Sequence, residues 1–183
     1  MYGRILTGGG RSYTFLSPLF AAIRQAQKRY NWLITDFEGG FPLKECSRVN
    51  SLNLRERYAW LTGEELTRLA EQMDFPWSWG VFSGFDQGVT LDQVLEYELP
   101  YADGNPGFWK NTVSVQHPLA ALELTAWDNA CALVISRDEA VLRDFAAAFP
   151  DSIDLERHNE MGREADQSQA YEAWLRNAGN GRQ

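Results

Sequence analysis

The chain has 183 residues, 44% of them apolar and 13% aromatic, with a formal net charge of −8. That length suits one domain with a substantial core, and the wealth of rings excludes a disordered chain. Residues 1–60 hold nine Lys/Arg against four Asp/Glu, and residues 61–183 hold eight against twenty-one. The acidic two-thirds disfavours phosphate backbones as ligands and favours cationic surfaces.

"YGRILT" (2–7) reads as a strand, and "TGGGRS" (7–12) breaks it. In "SPLFAAIRQAQKRY", Ser17 can cap a helix with Pro18 as its first residue. Leu19, Ile23 and Ala26 fall at helical spacing, and Lys28 and Arg29 suit the last turn. "YNWLITDFE" (30–38) follows as a strand, giving a β-α-β opening. Residues 39–56 are polar, begin with Gly39-Gly40 and Pro42, and predict a long connection with room for one helical turn.

"RYAWL" (57–61) suits a strand. "TGEELTRLAEQM" suits a helix: Thr62 and Glu65 have capping-box spacing, and Leu66, Leu69, Ala70 and Met73 form a stripe. "FPWSWGVFSGF" (75–85) packs five rings into eleven residues. Written as one strand, it puts Phe75, Trp77, Trp79, Val81, Ser83 and Phe85 on one face, with mostly small residues opposite. Rings pointing into a core, with the Gly side open to close approach, is the favoured reading. Thr90 and Gln93 again have capping spacing, "YADGNPGFWK" is turn-rich, and "NTVSVQHP" is extended up to Pro118.

"ALELTAW" and "ACALVIS" alternate around Asp128-Asn129, a pair that tolerates the positive φ of a two-residue hairpin. Leu122, Leu124 and Ala126 share one side. Glu123, Thr125 and Trp127 share the other, more polar one. Ser136 and Glu139 predict a capped helix with a Val141, Leu142, Phe145 and Phe149 stripe, ended by Pro150. After the polar run 151–169 comes a short helix from Ala170 to Ala178. The fold class expected is α+β: a mostly antiparallel sheet with packed helices in a single domain over 1–178, and a mobile tail at 179–183.

Motifs for catalysis are scarce. Cys46 and Cys131 form no Cys-x-x-Cys pair, which predicts small buried thiols in a reduced chain rather than a disulfide framework or zinc site. His117 and His158 are the only histidines, and no His-Glu-x-x-His or Gly-x-Ser-x-Gly occurs. "TGGGRS" lacks the ending of a phosphate-binding loop. Carboxylates cluster at Asp151, Asp154 and Glu156, and at Asp86, Asp92, Glu96 and Glu98. Solvated acidic faces are the common reason for such clusters, and a carboxylate-dependent hydrolase is the alternative they leave open. No basic head with an apolar run opens the chain, and no stretch reaches the ~18 apolar residues of a membrane helix. The expectation is a cytoplasmic protein with no cofactor, no membrane contact and no direct nucleic-acid ligand.

"AALELTAWDNACALVISRDEAVLRDFAAAFPDSIDLERHN" (120–159) resembles the layout of some small bacterial immunity proteins: a "WD" hairpin, a strand, an "S-x-D-E" helix start and a "FP…DL…N" ending. That resemblance implies a chain that neutralises a cognate polymorphic or contact-delivered toxin by covering its active or substrate-binding surface. It carries over no functional residue. From the residues themselves, a basic protein partner would meet exposed acids and rings, for which Trp109, Tyr101, Asp103, Asp86, Glu98 and Trp127 are the candidates. A protein-interaction module unconnected with toxins remains the other binding reading.

Overall fold

In a computed structural model the described residues are 2–8, 10–37, 48–50, 58–110 and 112–179. Their strands are β1 (Tyr2–Leu6), β2 (Tyr30–Thr35), β3 (Arg48–Asn50), β4 (Tyr58–Thr62), β5 (Gly80–Asp86), β6 (Leu122–Trp127), β7 (Cys131–Ser136) and β8 (Ile153–Asp154). They make one sheet in the order β3-β4-β2-β5-β6-β7-β1-β8, and every neighbouring pair is antiparallel. The helices are α1 (Leu16–Ala22), α2 (Gly63–Gln72), α3 (Leu91–Val94), α4 (Glu139–Ala148) and α5 (Leu155–Gly179), with short 3-10 turns at Ala26–Arg29 and Pro106–Trp109. The α+β expectation holds. Cys46 and residues 180–183 lie outside the described residues.

Both faces of the sheet are covered. On one, Leu16, Leu19 and Phe20 of α1, Leu66 and Leu69 of α2, and Val141, Leu142 and Phe145 of α4 pack on Trp32, Ile34, Phe82, Leu124 and Val134. On the other, α3, the irregular chain from 95 to 121 and the first turn of α5 supply Val94, Ala102, Phe108, Val113, Val115 and Leu155. These close over Leu33, Val81, Phe85, Leu133 and Ile135. Two-sided burial explains why β7 reads as a nearly continuous apolar run.

Local signals set several boundaries. Thr62 and Glu65 cap α2 reciprocally, and Thr90 and Gln93 do the same for α3. Asp128 and Asn129 both have positive φ, 48° and 54°, as a tight hairpin requires. Gly84 lies across the ladder from Trp32; a Cβ there would stand 3.1 Å from the indole, so its absence lets the ring lie flat on β5.

Five expectations are corrected. Ser17 does not cap α1, which starts one residue earlier; the Asp74 carboxylate, from beyond α2, accepts the N–H of Leu16 at 3.1 Å instead. The helix also ends at Ala22, because Arg24 and Gln25 turn left-handed. Ser136 is the buried last residue of β7, and Asp138 caps α4. The expected connection 39–56 contains edge strand β3. The polar run from 155 onward is helical and continuous with the expected short C-terminal helix.

The four rings expected on one strand face, Phe75, Trp77, Trp79 and Phe85, do not share it. Pro76 has no N–H for a ladder, and β5 begins only at Gly80. Trp77 therefore folds onto the helix-covered face, stacked on Phe75 at 4.9 Å and edge-on to Phe82 at 4.9 Å. Trp79 falls on the opposite face, against Trp127.

Candidate functional site

The loop-covered layer carries the candidate residues. Asp86 ends β5, opposite Tyr30 in the ladder. From there to Trp109 the chain carries five carboxylates, Asp86, Asp92, Glu96, Glu98 and Asp103, and no Lys, Arg or His. All five are exposed, and among the described residues none of them makes an ion pair. Apolar and aromatic surface lies between them: Leu95 is 40%, Tyr97 43% and Tyr101 48% exposed.

Asp36 anchors this segment. It follows β2 with φ of 50°, and its Oδ2 accepts the N–H of Ala102 at 2.6 Å and of Asp103 at 2.8 Å. Asn105 continues the framework, donating to the Tyr101 carbonyl at 2.7 Å and accepting the Gly107 N–H at 2.8 Å. Tyr101 and Asp103 are thus exposed on a backbone fixed at both ends.

Trp109 and Trp127, which sequence spacing did not relate, meet edge-on at 4.8 Å. Trp79 joins Trp127 at 5.1 Å, and Phe108 lies beneath at 5.9 Å. The three tryptophans are half-buried, so each candidate ring is part scaffold and part surface. Asn159 of α5 ties the far end of this loop down, donating to the carbonyls of Phe108 and Lys110. Tyr97, Leu95 and Asp36 were not singled out from sequence. Only Asp36 left a signal there, as an Asp directly after a strand, a residue that tolerates left-handed backbone and bonds nearby amides.

Under this layer lies a polar pocket of the core. The side of the hairpin that reads as more polar is covered: Glu123 is fully buried. Its Oε2 accepts the N–H of Gln116 at 2.9 Å and the Ser83 hydroxyl at 3.4 Å, and the His117 N–H adds to these. Its Oε1 has no protein partner. Burial outweighs the three donors and pushes the Glu123 carboxyl up to about 8, so the acid is neutral at pH 7. The His117 imidazole, also buried, donates from Nε2 to the Val94 carbonyl at 3.0 Å and accepts the Leu119 N–H on Nδ1 at 3.2 Å. Its pKa is lowered by burial, against the Val94 bond.

Ser83, His117 and Glu123 do not line up as nucleophile, imidazole and carboxylate: the hydroxyl touches the carboxyl directly, and both ring nitrogens face backbone. Cys131 meets Thr7 rather than a histidine. Of the C-terminal acids, Asp154 accepts the Arg157 N–H and Glu156 the Val113 N–H. Among the described residues no three His, Cys, Asp or Glu side chains gather as metal ligands, and no helix is long and apolar enough to cross a membrane. No family model, curated protein or solved structure matches the chain.

Proposed function

We propose that this protein works by binding, docking the acidic, ring-bearing segment 86–109 on a basic surface of another protein. The observation that carries this reading is five exposed carboxylates without a compensating cation, set among the open rings Tyr97 and Tyr101. The resemblance of residues 120–159 to immunity proteins supports a bacterial toxin domain as the partner, with its active or substrate-binding surface covered.

Magnitudes divide the labour. Exposed ion pairs contribute roughly 0.2–1 kcal/mol each, so five give at most about 5 kcal/mol, whereas nanomolar binding requires about 12 kcal/mol. Charge therefore steers the encounter, and the rings, with Leu95, hold the complex.

The test is calorimetry and stopped-flow binding against toxin domains encoded beside this gene, with the wild type and the reversal set Glu96→Lys, Glu98→Lys and Asp103→Lys. The wild type binds with an association rate that falls as salt rises. The reversal set loses at least about tenfold in that rate. Equal binding by both chains, or a salt-independent rate, refutes the proposal.

A further inference from the structure

Beneath Tyr97 of the acidic segment stands His117, whose ring is edge-on to Phe85 of β5 at 4.8 Å below and to Tyr97 at 5.4 Å above. Both nitrogens are committed, Nε2 as donor to the last carbonyl of α3 and Nδ1 as acceptor for Leu119. Only the neutral Nε2–H tautomer satisfies both. A second proton has one place to go, Nδ1, where it would meet the Leu119 N–H head-on.

We infer that His117 is an acid-operated release for the binding face: protonating its ring sets two N–H groups against each other at Leu119, and the ring that turns away from that clash leaves its seat under Val94 of α3 and Tyr97, lowering affinity for a cationic partner. The inference rests on the docking reading above and names the regulation of that face. Among the described residues, two titratable groups lie around the ring. Glu123, on β6, takes the backbone N–H of His117 and is neutral at and below pH 7, so it supplies no charge to hold the imidazolium. Tyr97, after α3, is the other, its ring edge-on to the imidazole. β5 contributes Phe85, which is apolar. Of the groups around the ring only the Val94 carbonyl favours the charged form, and burial outweighs it, so the pKa is lowered. The exposed carboxylates of the segment are the same in wild type and His117→Gln, so the contribution of His117 is separable by variant.

The experiment follows the two histidine rings by NMR from pH 7.5 downward, with amide exchange on the free chain. In parallel it measures binding of an arginine-rich peptide by the wild type and by His117→Gln. Gln can accept from Leu119 and donate to Val94 without titrating. The expected result is that the His117 ring protonates below its ordinary 6.5, and that protection at Leu119 and residues 91–97 is lost at the same midpoint. Wild-type affinity then falls by up to about tenfold per pH unit below it, the limit for one linked proton, in excess of the fall for His117→Gln. Protonation with α3 protection intact overturns the release, and this arm needs no variant to fold. Loosening without excess loss of peptide affinity separates the switch from the binding face and overturns the inference. A peptide bound by neither chain at any pH overturns the docking reading, while the exchange data still decide the switch.

Discussion

Replacing Glu123 by Gln is expected to stabilise the protein, although it removes a side chain that three donors address. The folded carboxyl titrates near 8, against 4.5 when unperturbed. A raised folded pKa contributes stability that is fully present below 4.5 and is lost as pH rises through 8. At ~1.36 kcal/mol per pH unit, wild type gives up about 3 kcal/mol by pH 7 and about 5 kcal/mol beyond pH 8. Gln presents an oxygen to Gln116, His117 and Ser83 and never ionises. The two chains should therefore match near pH 4 and diverge above it, Gln gaining about 3 kcal/mol at pH 7, or roughly 6–12 °C in Tm for a chain of this size. Urea denaturation of both chains from pH 4 to 9 measures the difference directly, and the other titrating groups cancel. A pH-independent difference would refute the neutral acid. A wild type more stable at pH 9 would show that the three donors outweigh burial.

Asp36→Ala removes the acceptor for Ala102 and Asp103 and should cost about 2 kcal/mol by urea denaturation. Asp36→Asn keeps an oxygen and tolerates the left-handed backbone, and should cost about 1 kcal/mol or less. Gly84→Ala drives a methyl to 3.1 Å from a Trp32 ring that its own N–H fixes to the Gln27 carbonyl at 2.9 Å. The ring has no room to slide, so a loss of about 1–3 kcal/mol is expected by the same assay. Tyr101→Ala should leave Tm nearly unchanged, and Tyr97→Ala, which loses its edge contact with His117, should cost about 1 kcal/mol; both should raise the dissociation rate from a bound partner by about thirtyfold or more, read by surface plasmon resonance.

What could be read from the sequence was what forms within four residues. The Thr62–Glu65 and Thr90–Gln93 boxes and the Asp128-Asn129 turn need no distant partner, and all three form as their spacing predicts. What could not be read is supplied from far along the chain. Asp74 caps a helix 58 residues earlier, and Asp36 holds amides 66 and 67 residues later. The alternation of "ALELTAW" identified the side of β6 bearing Glu123 but not its cover, because the covering segment 95–121 has no periodicity of its own. The run "CALVIS" was the one hint that both faces are buried. At the candidate site, Asp86, Glu98, Tyr101 and Asp103 proved exposed, as acids and rings in turn-rich segments tend to be. The meeting of Trp109 with Trp127 depends on where the 3-10 turn lands, which spacing does not specify.

The two layers differ in how well their polar groups are satisfied, and that has a dynamic consequence. Thr35, Glu123 and Thr125 each leave a buried oxygen without a protein partner on the loop-covered face, where the register places them, against Gln27 Oε1 beside α2 on the other. That face is closed by irregular backbone, whereas the opposite one is closed by α1, α2 and α4 around Trp32, Trp77 and Phe82. A cover with few regular hydrogen bonds over imperfectly paired polar groups opens at lower free energy than a helix-packed core. Amide exchange should therefore fall into two tiers. Residues 91–120 should exchange through local openings that are insensitive to low urea, while β2, β5 and β6 exchange only with global unfolding. A bound basic partner should slow the first tier selectively, because it binds the closed cover and not the open one. A single, uniformly urea-dependent tier would mean that the cover is as cooperative as the core, and the binding face would then be a rigid surface rather than one that ligands and protons can shift.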